Sequence, residues 1–251
     1  MQEPSALGRV VDLVRDLRAR CPWDAAQTRE TLRPYLVEEA LELDQSLRRA
    51  DHREIMAELG DMMLHVAWQV VLGEEAGEFG SEDVARSIEE KMWRRHPHLF
   101  GDAPRPESWE KLKLQEYRGH RRSTLDGLSP TLPAILMAFR VQERAASVGF
   151  DWPDANGPRE KVDEELAELD AEITSGTDDR RADEIGDLLF AVINLSRKLS
   201  IDPRAALERA NDRFSARFRT VERLAEERGI EMGKAELAEL DALWDEAKKT
   251  S

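Results

Sequence analysis

"YLVEEALEL" (residues 35–43), with "ELGD" (58–61) after it, decides the reading of this chain, because the pair returns as "KVDEELAEL" (161–169) and "EIGD" (184–187). Both phrases follow the 3.6-residue period of a helix rather than the period of two of a strand. Glu38, Glu39, Glu42, Glu58 and Asp61 each recur 126 positions later as Glu164, Glu165, Glu168, Glu184 and Asp187, and Gly60 recurs as Gly186. Five acids and a glycine in one register point to an internal duplication. The repeat is far longer than a solenoid unit. It implies two related helical domains, 1–124 and 125–251, divided near "STLDGLSPTLP" (123–133).

Outward from these phrases the helical period continues. One helix fits 6–20. Another starts near Pro34 and carries Leu36, Ala40, Leu43 and Leu47 on one stripe. "DHRE" (51–54) reads as an N-cap with an N3 glutamate, opening a helix to about residue 73. A fourth follows Ser81 and stops before Pro97. "HPHLFGDAPRP" (96–106) reads as a loop, and a helix near 107–121 precedes the linker. Helices are then expected at 133–148, 158–175 and 180–200. Asp202-Pro203 opens a long one running to Gly229, and a last one fits 234–248. The fold class is all-α.

The 251 residues carry a net charge of −15, which argues against a binder of duplex nucleic acid. The single cysteine, Cys21, forms no intramolecular disulfide, and no Cys/His cluster suggests zinc. "MQEPSALGRVVDL" (1–13) lacks the pattern of a signal peptide, and the most apolar run, 62–73, is too short to span a bilayer. The expectation is a cytoplasmic protein without a membrane partner.

The spacing of the acids suggests chemistry. Val162, Leu166, Leu169 and Ile173 form an apolar stripe, with Glu165 and Glu168 on a ridge beside it. On the next helix Ile185, Leu188, Leu189 and Val192 are expected on the buried side, flanked by a ridge of Glu184, Asp187, Ala191 and Asn194. Packed antiparallel, the two acidic ridges face each other, and four converging carboxylates repel one another unless a cation neutralises them. Acids on helix flanks are usually just solvated. EExxE followed by ExxD on the next helix, written twice in register, favours a metal cradle. All-carboxylate donors without Glu-x-x-His suit a hard cation, and Mg²⁺ commonly bridges such a cradle to phosphates.

With "RRHPHLFGD" (94–102), "RAASVGFDW" (144–152) and "NDRFSARF" (211–218), these motifs resemble the MazG family of nucleoside triphosphate pyrophosphohydrolases over nearly the whole chain. The resemblance implies an all-α homodimer built on four-helix bundles. It also implies Mg²⁺-dependent cleavage of NTP to NMP and pyrophosphate, with Mn²⁺ as a substitute ion and catalysis in the C-terminal half. It carries the metal ligands onto Glu165, Glu168, Glu184 and Asp187, with Glu164 orienting or deprotonating the attacking water. Lys161, Asn194, Arg213 and Arg217 become phosphate or nucleotide contacts, and Arg213 stands where many relatives have lysine; from the residues alone, the two arginines read first as a solvated helix face. Trp244 is a candidate stacking surface for the base, or else a packing residue. Phe150 and Trp152 form a turn that could border the nucleotide. Attack at the α-phosphorus rather than the γ-phosphorus rests on the resemblance alone.

Two other readings stand beside this one. A single-nucleotide relative, dUTPase-like or a phosphoribosyl-ATP pyrophosphohydrolase, is disfavoured by the duplication and by RRHPH. A nucleotide-binding helical dimer without turnover would release no pyrophosphate from any NTP. The halves also differ. Glu39, Glu42, Glu58 and Asp61 repeat the ligand set, but Lys161, Ala191 and Asn194 correspond to Tyr35, His65 and Trp68. The N-terminal half is therefore expected to be structural or regulatory, with a vestigial or weakly active site. Apolar stripes on 36–47, 62–72, 185–199 and 207–224 exceed what one hairpin can cover, so a homodimer is expected from the pattern as well.

Overall fold

A computed structural model describes residues 5–101 and 123–249, and the helix expected at 107–121 lies outside them. Every regular element among the described residues is a helix. The chain divides into two compact units, Met1–Arg105 and Pro106–Ser251.

The first unit holds α1 (Ala6–Arg20), α2 (Pro22–Ala25), α3 (Arg29–Arg49), α4 (His52–Glu75), α5 (Ser81–Arg95) and α6 (Pro97–Phe100). Helix α3 begins five residues before Pro34 because Thr28 and Thr31 cap one another. Thr28 N–H donates to Thr31 Oγ1 at 2.9 Å, and Thr31 N–H donates to Thr28 Oγ1 at 3.3 Å. That box outweighs the interior proline, whose missing N–H forfeits one helical bond. Asp51 caps α4 as expected, accepting from the N–H groups of Arg53 and Glu54. The short α2 and α6 were not anticipated.

Helices α3 and α4 form an antiparallel hairpin, with α1 against α4. Val11, Val14, Leu32, Ala67, Trp68, Val70 and Val71 make the core. The 62–72 stripe, expected to seek a partner, is thus largely consumed inside this unit. Helix α4 has the length and apolarity of a membrane span, but His65, Ala67, Trp68, Val70, Val71 and Gly73 are buried in the unit.

The second unit holds α7 (Ala134–Ser147), α8 (Asn156–Ser175), α9 (Asp178–Lys198), α10 (Pro203–Arg228) and α11 (Leu237–Lys249). Helices α8 and α9 repeat the hairpin, with α7 against α9. Gly149 ends α7 at φ +92°, where its N–H donates to Ala146 O and Phe150 N–H reaches back to Ala145 O. This pair of hydrogen bonds requires the left-handed region that glycine adopts cheaply. The apolar core of the unit lies between α10 and α11, in Val221, Leu224, Ala225, Leu243 and Ala247.

One expectation about faces is reversed. Ala191 and Asn194 of the acidic ridge are buried, whereas Ile185, Leu189 and Val192 stand 48%, 59% and 46% exposed. Within the unit, α9 packs the Ala191–Asn194 end of its ridge inward and leaves Ile185, Leu189 and Val192 outward, while Glu184 and Leu188 are half-buried and Asp187 is exposed. The ridge packs because Ala191 and Asn194 are small enough for helices to approach closely.

Candidate metal and nucleotide site

The α8–α9 hairpin brings carboxylate oxygens of Glu165, Glu184 and Asp187 within 4.8 Å of one another. Glu165 is buried, Glu184 half-buried and Asp187 exposed. Glu168, the fourth expected ligand, lies on the exposed side and outside this triple, but its charge acts on Glu184. Burial first, then the charges of Glu168, Glu165 and Asp187, push the Glu184 carboxyl above its ordinary range. Its Oε2 is buried and accepts no hydrogen bond. A buried acid oxygen with no donor, facing two more carboxylates, fits a hard divalent cation.

Lys161 stands one turn before the acids, as its position suggested. Its ammonium donates to Glu164 Oε1 at 2.9 Å and lies 2.7 Å from Glu165 Oε1. These bonds hold the lysine well above its usual pKa, so it stays charged. Glu164 is exposed and engaged with that lysine.

The N-terminal hairpin assembles a related triple, Glu39, Glu42 and Glu58, also within 4.8 Å. Here Asp61 is the acid left outside the triple. Burial, followed by acid neighbours, raises the carboxyls of both Glu39 and Glu58. Glu58 Oε2 is again buried without a partner. Beyond the acids the resemblance ends. Trp68 is buried in the core beneath the guanidinium of Arg18, 5.5 Å from the ring centroid. It packs rather than offering a face to a base. His65 is buried with an unpartnered Nδ1, and burial holds its pKa down against the pull of Asp61.

The remaining expected contacts lie on α10, α11 and the loop after α7. Arg213 is exposed and Arg217 half-buried, one turn apart, interleaved with Phe214 and Phe218, whose rings stack at 5.8 Å. Trp244 lies 5.1 Å from Phe214 and also packs on the α10–α11 core, so it is at least a packing residue. Phe150 is 82% exposed. Trp152 rests on Gly157, where a Cβ would come within 2.0 Å of the indole.

Sequence reasoning missed Asp151, Arg197 and Gln142. Asp151 receives both Arg197, through Nη1 at 3.2 Å and through Nη2, and Lys198 at 3.1 Å. Burial raises the Asp151 carboxyl, but these hydrogen bonds outweigh it and hold the pKa below the usual range. Buried Gln142 donates to Phe190 O at 2.8 Å and ties α7 to α9. Helical periodicity cannot see pairs 46 and 48 residues apart. The duplication could have, since Arg197 replaces the apolar Val71 at the common offset.

The model of the MazG nucleotide pyrophosphohydrolase domain matches residues 27–100, which is the N-terminal hairpin with α5 and α6. The nucleoside triphosphate pyrophosphohydrolase/pyrophosphatase MazG of Thermotoga maritima is 41% identical over 95% of this chain and 94% of its own length. The nucleoside triphosphate pyrophosphohydrolase of Escherichia coli K12 is 36% identical over 99% and 98%. A Mycobacterium tuberculosis protein of the same name is 32% identical over 67% of this chain and 54% of its own.

Proposed function

The chain belongs to the MazG family of nucleoside triphosphate pyrophosphohydrolases, and we propose that it hydrolyses nucleoside triphosphates to the monophosphate and pyrophosphate by water attack at the α-phosphorus. The C-terminal hairpin carries this chemistry, with Glu165, Glu168, Glu184 and Asp187 holding Mg²⁺ or Mn²⁺. The observation that carries the reading is the orphaned, buried Glu184 Oε2 clustered with Asp187 and with Glu165, which pairs with the charged Lys161. The family-model match over 27–100 lies on the other hairpin and favours neither half for catalysis.

Bound Mg²⁺ supplies charge neutralisation and a water of lowered pKa. The chain's own groups do the rest. Lys161 offsets two carboxylates and presents an ammonium to an incoming phosphate. Glu164, exposed beside it, accepts the proton of the attacking water. Arg213 and Arg217 present two guanidiniums a turn apart for the β- and γ-phosphates. Asn194 and Trp152 contact the nucleotide, and Trp244 with its Phe214 neighbour offers an aromatic surface for the base. The N-terminal Glu39, Glu42, Glu58 and Asp61 form a second, weakly active or structural cation site.

The exposed stripe of Ile185, Leu189 and Val192 supports a homodimer, since apolar faces of this extent are normally covered. Light scattering should give twice the chain mass of 28.6 kDa, and a dilute, fully active monomer would contradict it. The fold and charge suit a cytoplasmic enzyme without a nucleic-acid duplex or membrane partner. The test of the activity is pyrophosphate release from a panel of NTPs with Mg²⁺. Release from several is expected. Release from a single nucleotide would restrict the substrate, and release from none would refute the proposal.

A further inference from the structure

Beside the acids, the α9 ridge ends in a polar relay that hydrolysis by a metal cradle does not itself require. Asn194 is buried, and its Oδ1 accepts from Arg197 Nε at 3.0 Å. A guanidinium has donors only, so the atom it meets must be the amide oxygen. That contact decides which way the amide points, and it leaves the Nδ2 hydrogens for another acceptor. Arg197 cannot turn away, because Asp151 grips its two terminal nitrogens from the loop after α7. Asp151 is itself held by Lys198, whose ammonium also donates to Trp152 O at 2.5 Å. The loop, the arginine and the amide form one connected set.

The other hairpin shows that the fold does not need this set. At the common offset Asn194, Arg197, Lys198 and Asp151 correspond to Trp68, Val71, Leu72 and Ala25. Trp68 and Val71 are core residues there, with Leu72 packed against them. The same helix pair is therefore closed by apolar side chains in one half. Replacing a packed apolar cluster with a half-buried ion pair and a buried amide gains little stability in general, because partly solvated ions contribute little and a buried amide must be hydrogen-bonded merely to break even. The polar set in the C-terminal half calls for a purpose other than packing.

We propose that Asp151 and Arg197 are positioning residues that lock Asn194 with its amide hydrogens toward the nucleotide, so that it takes an acceptor oxygen of the substrate and not an amino group. This rests on the reading of Asn194 as a nucleotide contact. Arg197 and Asp151 touch no substrate; they act through the orientation of one amide.

The experiment is steady-state pyrophosphate release by the full chain with Mg²⁺ and the triphosphate hydrolysed fastest in the panel. Asn194→Ala should raise KM about tenfold with kcat nearly unchanged, the effect of one lost hydrogen bond. Arg197→Lys, which keeps a cation beside Asp151 but lacks the fork, should raise KM similarly, as should Asp151→Asn. The double variant Asn194→Ala/Arg197→Lys should be no worse than Asn194→Ala. Asn194→Asp keeps an acceptor for Arg197 and loses the donors, so it should fold normally and still raise KM. A parental KM in both Asn194 variants would overturn the substrate role of Asn194, and this inference with it. A raised KM in the Asn194 variants with a parental KM in Arg197→Lys and Asp151→Asn would overturn the relay alone. Effects that multiply in the double variant would do the same.

Discussion

The α3–α4 and α8–α9 hairpins share a register and three clustered carboxylates, but they close their far ends in opposite ways. The first buries Trp68 and Val71 under Arg18. The second buries Asn194, tied through Arg197 to Asp151. They also differ in front of the acids, where Tyr35 stands in one and the charged Lys161 in the other. Even the triples differ, Glu42 belonging to the first and Asp187 to the second. The two hairpins keep the same clustering of acids at a common offset and differ in the side chains around it. A cluster of acids locates where a metal can sit; the groups around it decide whether a substrate follows.

The sharpest structural contrast should come from corresponding positions. Trp68→Ala should cost about 3–5 kcal/mol of stability, the range for emptying a core aromatic. Asn194→Ala, its counterpart, should show mainly in KM. Denaturant unfolding of both variants compares them directly, and equal stability losses would erase the distinction between a packing end and a recognition end.

Metal linkage comes next. Calorimetry with Mg²⁺ at a hundred times its Kd should show about 2.7 kcal/mol of stabilisation per occupied site. Asp187→Asn should remove the increment belonging to the second unit. An increment unchanged in that variant would mean the ion is held elsewhere.

The smallest effect is a matter of protonation. In the metal-free protein the Glu184 carboxyl sits above its ordinary value of 4.5 because of burial and its acid neighbours. A raised carboxyl favours folding fully below 4.5, and that contribution is lost as pH rises through the raised value. Glu184→Gln, fixed in the neutral state, should therefore melt above the parent at pH near neutrality and converge with it toward acid. A gap that widens toward acid would show that the repulsion is absent.

Much of this was legible from residue spacing. The caps at Asp51 and Asp202 were read correctly because their signals are local, an acid followed by free helical N–H groups. The start of α3 was misplaced because proline is a loud signal and a Thr-x-x-Thr box a quiet one. The buried face of α9 was inverted because periodicity assigns apolar residues to the interior of one chain. Ile185 and Leu189 are instead left outward, while Ala191 and Asn194 take the packed side. The acids were found together because the duplication fixes their register. The Asp151–Arg197–Asn194 relay was not, since it joins a loop to a helix end, with nothing in either segment announcing the other.

The central claim is that the C-terminal hairpin carries the turnover of substrate and the N-terminal one contributes little or none of it. It is tested most directly by measuring NTP-dependent pyrophosphate release from two paired variants of the full chain. Glu168→Gln/Asp187→Asn should lose activity by about a thousandfold or more, as expected when charge stabilisation at the reacting phosphate is removed. Glu42→Gln/Asp61→Asn should keep most of it. Loss of activity in the N-terminal pair with survival in the C-terminal pair would contradict the assignment.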